Sequence, residues 1–236
     1  MPQHITYKLF FSGIDGAGKT ACADLLTARL ASKYRIVRTG SHDFYLYFNG
    51  RKSLVAKRRL YTKSELLGSR LGHRFYGVFL LLNFVYKAIT IIKVKRFTKP
   101  DLMIYEVDAV LHPAAYITYH FPFTRYLSRK LRVGVLAILF GSKRSSVRVY
   151  LDVDPRTAME RINKRGTDGG SHENLKDLTQ IKAEIDCLID VAVDSGFEIF
   201  RVNTNARNLE DVACHVARLV ERKMSNLTAV DSVVGA

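Results

Sequence analysis

Residues 7–20 read Tyr7-Lys8-Leu9-Phe10-Phe11-Ser12-Gly13-Ile14-Asp15-Gly16-Ala17-Gly18-Lys19-Thr20, a short apolar run that breaks into a glycine loop and ends on lysine and threonine. Tyr7 to Phe11 predicts a strand. Residues 21–33 predict a helix, with Leu25, Leu26, Ala28 and Leu30 on or near one face. The loop between them, Gly13-x-x-x-x-Gly18-Lys19-Thr20, has the spacing that cradles a polyphosphate. Glycine lets the backbone turn tightly with its N–H groups inward. Those groups and the positive end of the following helix suit a β-phosphate. Lys19 would bridge the β- and γ-phosphates, and the Thr20 hydroxyl would ligate Mg²⁺. Gly13, Ile14, Asp15, Gly16, Ala17, Gly18, Lys19 and Thr20 are therefore the expected ATP-binding residues.

Working outward, 34–38 reads as a second strand, and Asp101-Leu102-Met103-Ile104-Tyr105-Glu106 as a central parallel strand buried on both faces. Further strands are expected at 147–153 and 197–202. Asp154-Pro155 opens a helix with proline in its first turn, and two more helices are expected at 173–193 and 209–223. The order predicts an α/β fold: a P-loop three-layer α/β/α domain with a mostly parallel five-stranded sheet. It spans residues 1–224, and 225–236 are expected to form a loose tail.

The 236 residues carry a net charge of +15, and the charge is unevenly placed. Residues 51–148 hold 20 Lys+Arg against 4 Asp+Glu, or +16; the rest hold 17 against 18, or −1. A basic surface fits phosphates, acidic glycans, nucleic acid or anionic lipid, or is simply solvated. No nucleic-acid-binding module is recognisable in it. Residues 51–74 are expected to be helical in part. Residues 75–94 are apolar over roughly a membrane-spanning length, but Gly77, Asn83, Lys87 and Lys93 interrupt them. A buried core helix is the first reading and a membrane-associated helix the second. Residues 133–140 are a shorter apolar run, a core helix or an interaction surface. Cys22, Cys187 and Cys214 have no metal or redox spacing, and Met1-Pro2-Gln3-His4 has no leader character. A reduced cytoplasmic protein, with peripheral membrane contact as an option, is the expectation. The seven histidines, His112 and His120 among them, show no metal-ligand spacing.

Five positions outside the common loop pattern are candidates for the chemistry. Asp15 would accept a hydrogen bond from a substrate hydroxyl, orient Mg²⁺ and its waters, or turn out to solvent. Arg161 and Arg165 lie four apart at the end of a helix, before the glycine-rich stretch 166–171. An arginine pair on a lid spanning about 161–172 would neutralise charge on a transferring phosphoryl group, or simply complement a helix C-terminus. Glu106 and Asp108 stand at the carboxyl end of the central strand, where such sheets bind ligands. Glu106 could hold Mg²⁺ directly or through water; Asp108 could do so or cap a helix.

Residues 11–20 resemble the phosphate loop of thymidylate kinases, which favour Asp or Glu at the position of Asp15. Arg38-Thr39-Gly40 is similar to their substrate-phosphate segment, and 149–166 to their strand, helix and lid. In the middle, Glu106-Val107-Asp108 stands where the family carries Asp-Arg-Tyr or Asp-Arg-Phe, so the acid is kept and the arginine is not. Residues 80–84 and 111–116 resemble a divergent branch associated with cell-surface polysaccharide synthesis. The resemblance implies an ATP- and Mg²⁺-dependent kinase. Lys19, Arg161, Arg165 and Asp15 would be catalytic, and Thr20 and Glu106 would hold the metal. Asp15, Arg38, Arg70, Arg74 and Glu106 would meet the acceptor: dTMP first, another nucleoside monophosphate, or a phosphorylated glycan substrate. It also implies a homodimer packed through helices, with residues 75–94 as a possible face. The alternative is an ATP-binding accessory or switch protein on an anionic membrane, with little turnover.

Overall fold

The computed structural model describes residues 6–39, 43–48, 51–57, 86, 89–108, 110–112, 114–115, 127–140, 145–165, 174–205 and 207–234. Seven strands form one sheet: β1 (Tyr7–Ser12), β2 (Ile36–Thr39), β3 (Asp43–Phe48), β4 (Arg51–Lys57), β5 (Leu102–Tyr105), β6 (Ser146–Asp152) and β7 (Ile199–Asn203). Their spatial order is β4-β3-β2-β5-β1-β6-β7. The five strands from β2 to β7 run parallel, while β3 and β4 pair antiparallel at one edge.

The expected five-stranded sheet is thus the parallel part of a larger mixed one. Residues 51–57, expected in a partly helical stretch, are strand β4. Their cations sit on an edge: Lys52 lies over the rings of Tyr45 and Tyr47, at 4.3 and 5.8 Å. Edge strands favour charge, because it discourages pairing with other chains.

Among the described residues, the sheet is accompanied by helices α1 (Lys19–Leu30), α2 (89–98), α3 (Arg129–Phe140), α4 (Pro155–Lys164), α5 (Leu175–Asp194) and α6 (Leu209–Val234). Alternation along the strands fixes what each face buries. Phe10, Val37, Phe44, Met103 and Tyr105 point to one face and pack on Val94 of α2, with Phe10 and Tyr105 stacked 4.4 Å apart. Leu9, Phe11, Ile36, Ile104 and Val149 belong to the larger core that includes Leu26 of α1 and Val216 of α6. Helix α6 extends to Val234, so the expected loose tail is largely helical. Among the described residues, no helix is long and apolar enough to cross a membrane. Most of 75–94, with Arg70 and Arg74, lies outside the described residues.

The helix starts follow from local chemistry. The Asp154 side chain accepts from the Arg156 N–H, with Pro155 behind it, and the Asn174 side chain accepts from Asp177 N–H. Each bond satisfies an orphan donor of a first turn.

Candidate functional site

Strand β1 ends at Ser12 and hands the chain to the glycine loop at the carboxyl end of the parallel strands. Two glycines are required here by close approach. A Cβ on Gly13 would lie 2.7 Å from the Leu151 carbonyl oxygen, and one on Gly16 would lie 2.4 Å from that of Ala158. Gly16 also has a φ of 84°, in the left-handed region that other residues resist. The loop is thereby seated on the end of β6 and on the backbone of α4.

Lys19 is 8% exposed, and its ammonium donates to the Gly13 and Ile14 carbonyls at 2.8 Å each. It also lies 3.3 Å from Asp15 Oδ1. Asp15 is therefore engaged with the loop lysine rather than simply turned out to water. The next residue, Thr20, places Oγ1 3.3 Å from Glu106 Oε2. Glu106 follows β5 and is 5% exposed. Its other oxygen accepts from Arg38 Nε at 2.7 Å. Arg38, at the end of β2, also donates to Asp24 of α1 and reaches the Thr20 carbonyl at 3.5 Å. Burial works against the Arg38 charge, but Asp24 and Glu106 outweigh it and hold the guanidinium above its ordinary range.

Asp15, Lys19, Thr20, Glu106 and Arg38 consequently form one linked chain, drawn from the loop, α1 and the ends of β2 and β5. The Thr20 hydroxyl and the Glu106 carboxylate are hard oxygen donors of the kind Mg²⁺ takes. No cluster of three metal-ligating side chains occurs among the described residues.

Asp108 lies outside this chain. It is fully buried, and its Oδ1 accepts from the Val110 and Leu111 N–H groups at 2.6 and 2.9 Å, capping the turn that follows. Its Oδ2 lies 3.1 Å from Nε of Arg148, which is sandwiched between Phe10 and Phe197. The contact is electrostatic rather than an aligned hydrogen bond, since none of the three Arg148 nitrogens has a hydrogen-bond partner among the described residues. Asp108 is thus a cap and a counter-charge.

Arg161 donates to the Thr204 carbonyl at 2.7 Å, and Arg165 is exposed at the end of α4. The glycine-rich stretch of the expected lid lies outside the described residues. Arg161 is joined to the loop through α4, by the Gly16 approach to Ala158. Two groupings were not expected from the sequence. The turn after β7 is tied down by Thr204 N–H to the Asp152 carbonyl at 2.8 Å and Asp154 N–H to Asn205 Oδ1 at 2.7 Å. It borders the phosphate loop, where a Cβ on Gly18 would lie 3.4 Å from Leu209. The polar run Asn203-Thr204-Asn205 after an apolar strand was the available signal. The second grouping surrounds Lys182, which contacts Asp152 at 2.7 Å, Asp186 at 2.9 Å and the Tyr150 hydroxyl at 3.2 Å. Arg201 reaches the same two carboxylates. Burial pushes Tyr150 up to about 12. Burial would also raise Asp152, but hydrogen bonds from Lys182 and Arg201 prevail and hold it below its ordinary range.

No family profile and no curated protein matches the chain. Solved structures do match its fold. The deoxyadenosine kinase from M. mycoides with bound dATP superposes with a TM-score of 0.52 at 13% identity, covering 89% of this chain and 99% of that one. The same enzyme with the products dCMP and a flexible dCDP gives 0.49 at 15% identity, covering 93% and 99%. The YorR protein from Bacillus subtilis, in complex with phosphorylated GDP, gives 0.49 at 16% identity, covering 91% and 95%. The likeness is one of architecture. The chain shares the α/β architecture of the dATP-bound enzyme.

Proposed function

We propose that the chain is an ATP-dependent phosphotransferase that moves the γ-phosphate of ATP to a nucleoside or nucleoside monophosphate. The observation that carries this reading is the linked chain Lys19–Asp15, Thr20–Glu106–Arg38 at the carboxyl ends of β1, β2 and β5. Phosphoryl transfer asks little covalent chemistry of a protein; it needs alignment and fixed positive charge. Lys19 and the inward N–H groups would hold the transferring phosphate. Thr20 and Glu106 would hold Mg²⁺, which would offset phosphate charge when bound. Asp15 would face the acceptor hydroxyl or phosphate from the loop. Arg38 is committed to Asp24, Glu106 and the Thr20 carbonyl, so its part would be to orient Glu106 and meet an acceptor phosphate with what remains of its fork. Arg161 and Arg165 would supply charge from α4.

The acceptor defines the finer reading. The family-like loop and Arg38 favour dTMP, whereas the dATP-bound kinase fold favours a nucleoside. A coupled assay with MgATP and the deoxynucleosides, the nucleoside monophosphates and phosphorylated sugars separates these. Saturable transfer to a nucleoside or a monophosphate, lost in Lys19→Ala, supports the proposal. Absence of transfer to all of them at millimolar concentration, or transfer that survives Lys19→Ala, overturns it.

A further inference from the structure

Helix α2 has an outer face unlike a solvated one. Its inner side is Thr90 and Val94, both buried, with Ile91 against the sheet. Helical spacing puts Ile89, Ile92, Lys93 and Arg96 on the opposite side, and Lys99 follows the helix end. Ile89 is 46% exposed, Ile92 66% and the flanking Phe97 80%. Lys93, Lys95, Arg96 and Lys99 are exposed as well, and residues 89–100 contain no acid. Among the described residues, no ion pair neutralises any of these four cations, although Lys and Arg on other helices pair freely, as Arg129 does with Glu184. The same sign of charge continues beneath the helix. Lys8 on β1 is held below its ordinary range by burial first and then by Lys95 and Arg148.

The surface continues past the helix end. Arg35 donates to the Thr98 carbonyl at 3.1 Å and lies 4.8 Å over the ring of Phe48, which is itself 41% exposed. Phe48 pairs with Arg51, exposed on β4. Large apolar side chains and cations therefore share this side of the protein, with Asp101 as the acid at its edge, where it accepts from the Arg35 N–H at 2.8 Å. The surface runs to the amino ends of β2 and β5, whereas the phosphate loop opens at their carboxyl ends.

We infer that α2, with Phe48 and Arg51 beside it, is a docking surface for an anionic lipid bilayer, on which the protein lies with its nucleotide site open to water. Charge complementarity names the occupant. Cations without counter-charges are drawn to a negative leaflet, and isoleucine and phenylalanine between them gain by entering the acyl boundary. A nucleic acid would use the cations but leave Ile89, Ile92 and Phe97 without a purpose.

The test is sedimentation of the full chain with phosphatidylcholine vesicles, with and without about 30% phosphatidylserine, at low and high salt, and in parallel with single-stranded RNA. Binding to the anionic vesicles only, weakened by salt, is expected. Lys93→Ala with Arg96→Ala should weaken it about 25-fold, from roughly five-fold per cation. Ile92→Ser with Phe97→Ser should weaken vesicle binding about ten-fold without changing any RNA binding. These residues are exposed, so the thermal midpoint and solution turnover should be unaffected in both variants. Failure to bind anionic vesicles, equal binding to neutral ones, or vesicle binding indifferent to Ile92→Ser with Phe97→Ser would overturn the assignment. So would binding to RNA alone.

Discussion

Glu106 is the residue on which the site turns, because it faces two ways. One oxygen meets Thr20 and the other meets Arg38. Replacing it with glutamine keeps the shape and removes the charge. We expect Glu106→Gln to lower kcat about 10–100-fold, as loss of a metal-orienting carboxylate does, and to raise the Mg²⁺ concentration needed for half-maximal rate. Arg38 would retain only Asp24 as a charged partner, so stability should fall by about 1–3 kcal/mol. A urea melt and a Mg²⁺ titration of turnover separate the two effects. The sequence exposed Glu106 through its place at the end of an apolar strand. It could not show that Arg38 and Asp24 complete the set, because those contacts join positions far apart in the chain.

At the scale of elements, the turn after β5 is held by a charge buried against aromatic rings. Arg148 and Asp108 are both essentially inaccessible, and the arginine has no hydrogen bond of its own among the described residues. Asp108→Ala removes a cap, worth about 1 kcal/mol, and leaves Arg148 without its counter-charge, a loss of about 3–5 kcal/mol. Arg148→Met leaves Asp108 with two backbone donors and restores an apolar filling between Phe10 and Phe197. We therefore expect the aspartate change to be the more damaging by several kcal/mol in paired denaturant melts. Equal effects would contradict this account.

Helices α3 and α5 meet through another ionic contact with a pH signature. Burial would raise Glu184, but hydrogen bonds from Arg129 and Arg132 prevail and hold it below its ordinary value of 4.5. A carboxyl with a depressed folded value takes up protons more readily when unfolded. Its stabilising contribution is thus complete above about pH 5 and disappears as pH falls through the folded value. Thermal midpoints measured from pH 7 to pH 3 should fall in that acid range, and Glu184→Gln should flatten the decline. Solvent screening of the exposed Arg129 keeps the effect modest. The parallel strands were legible as apolar runs closed by turn residues. The hairpin β3–β4 was not, because the cations of 51–57 outweighed its alternation. An edge strand carries charge on its open side without ceasing to be a strand. The end of α6 was missed for a related reason: small polar residues lack the apolar period that marks a packed helix.

Taken whole, the described residues form one sheet with the candidate site at the carboxyl ends of its parallel strands, so MgATP binding there should report on global stability. Saturation with MgATP at about 100 times its Kd would add about 2.7 kcal/mol, a rise of about 5–11 °C in Tm for a domain of this size. Lys19→Ala should abolish the rise. The architecture and the phosphate loop were readable from one strand–loop–helix passage. The acceptor was not, because contacts such as Arg38 to Glu106 join positions far apart in the chain.

The seating of Gly16 on α4 has a genetic consequence. The atoms that crowd it are the carbonyl oxygen, carbonyl carbon and Cα of Ala158. Every amino acid has those atoms, so no replacement at 158 can make room for a side chain at 16. Second-site suppressors of a Gly16 substitution should therefore be absent at its own contact position, however deeply a library samples it. Variation can pass through the partner in this contact but cannot pass through the glycine.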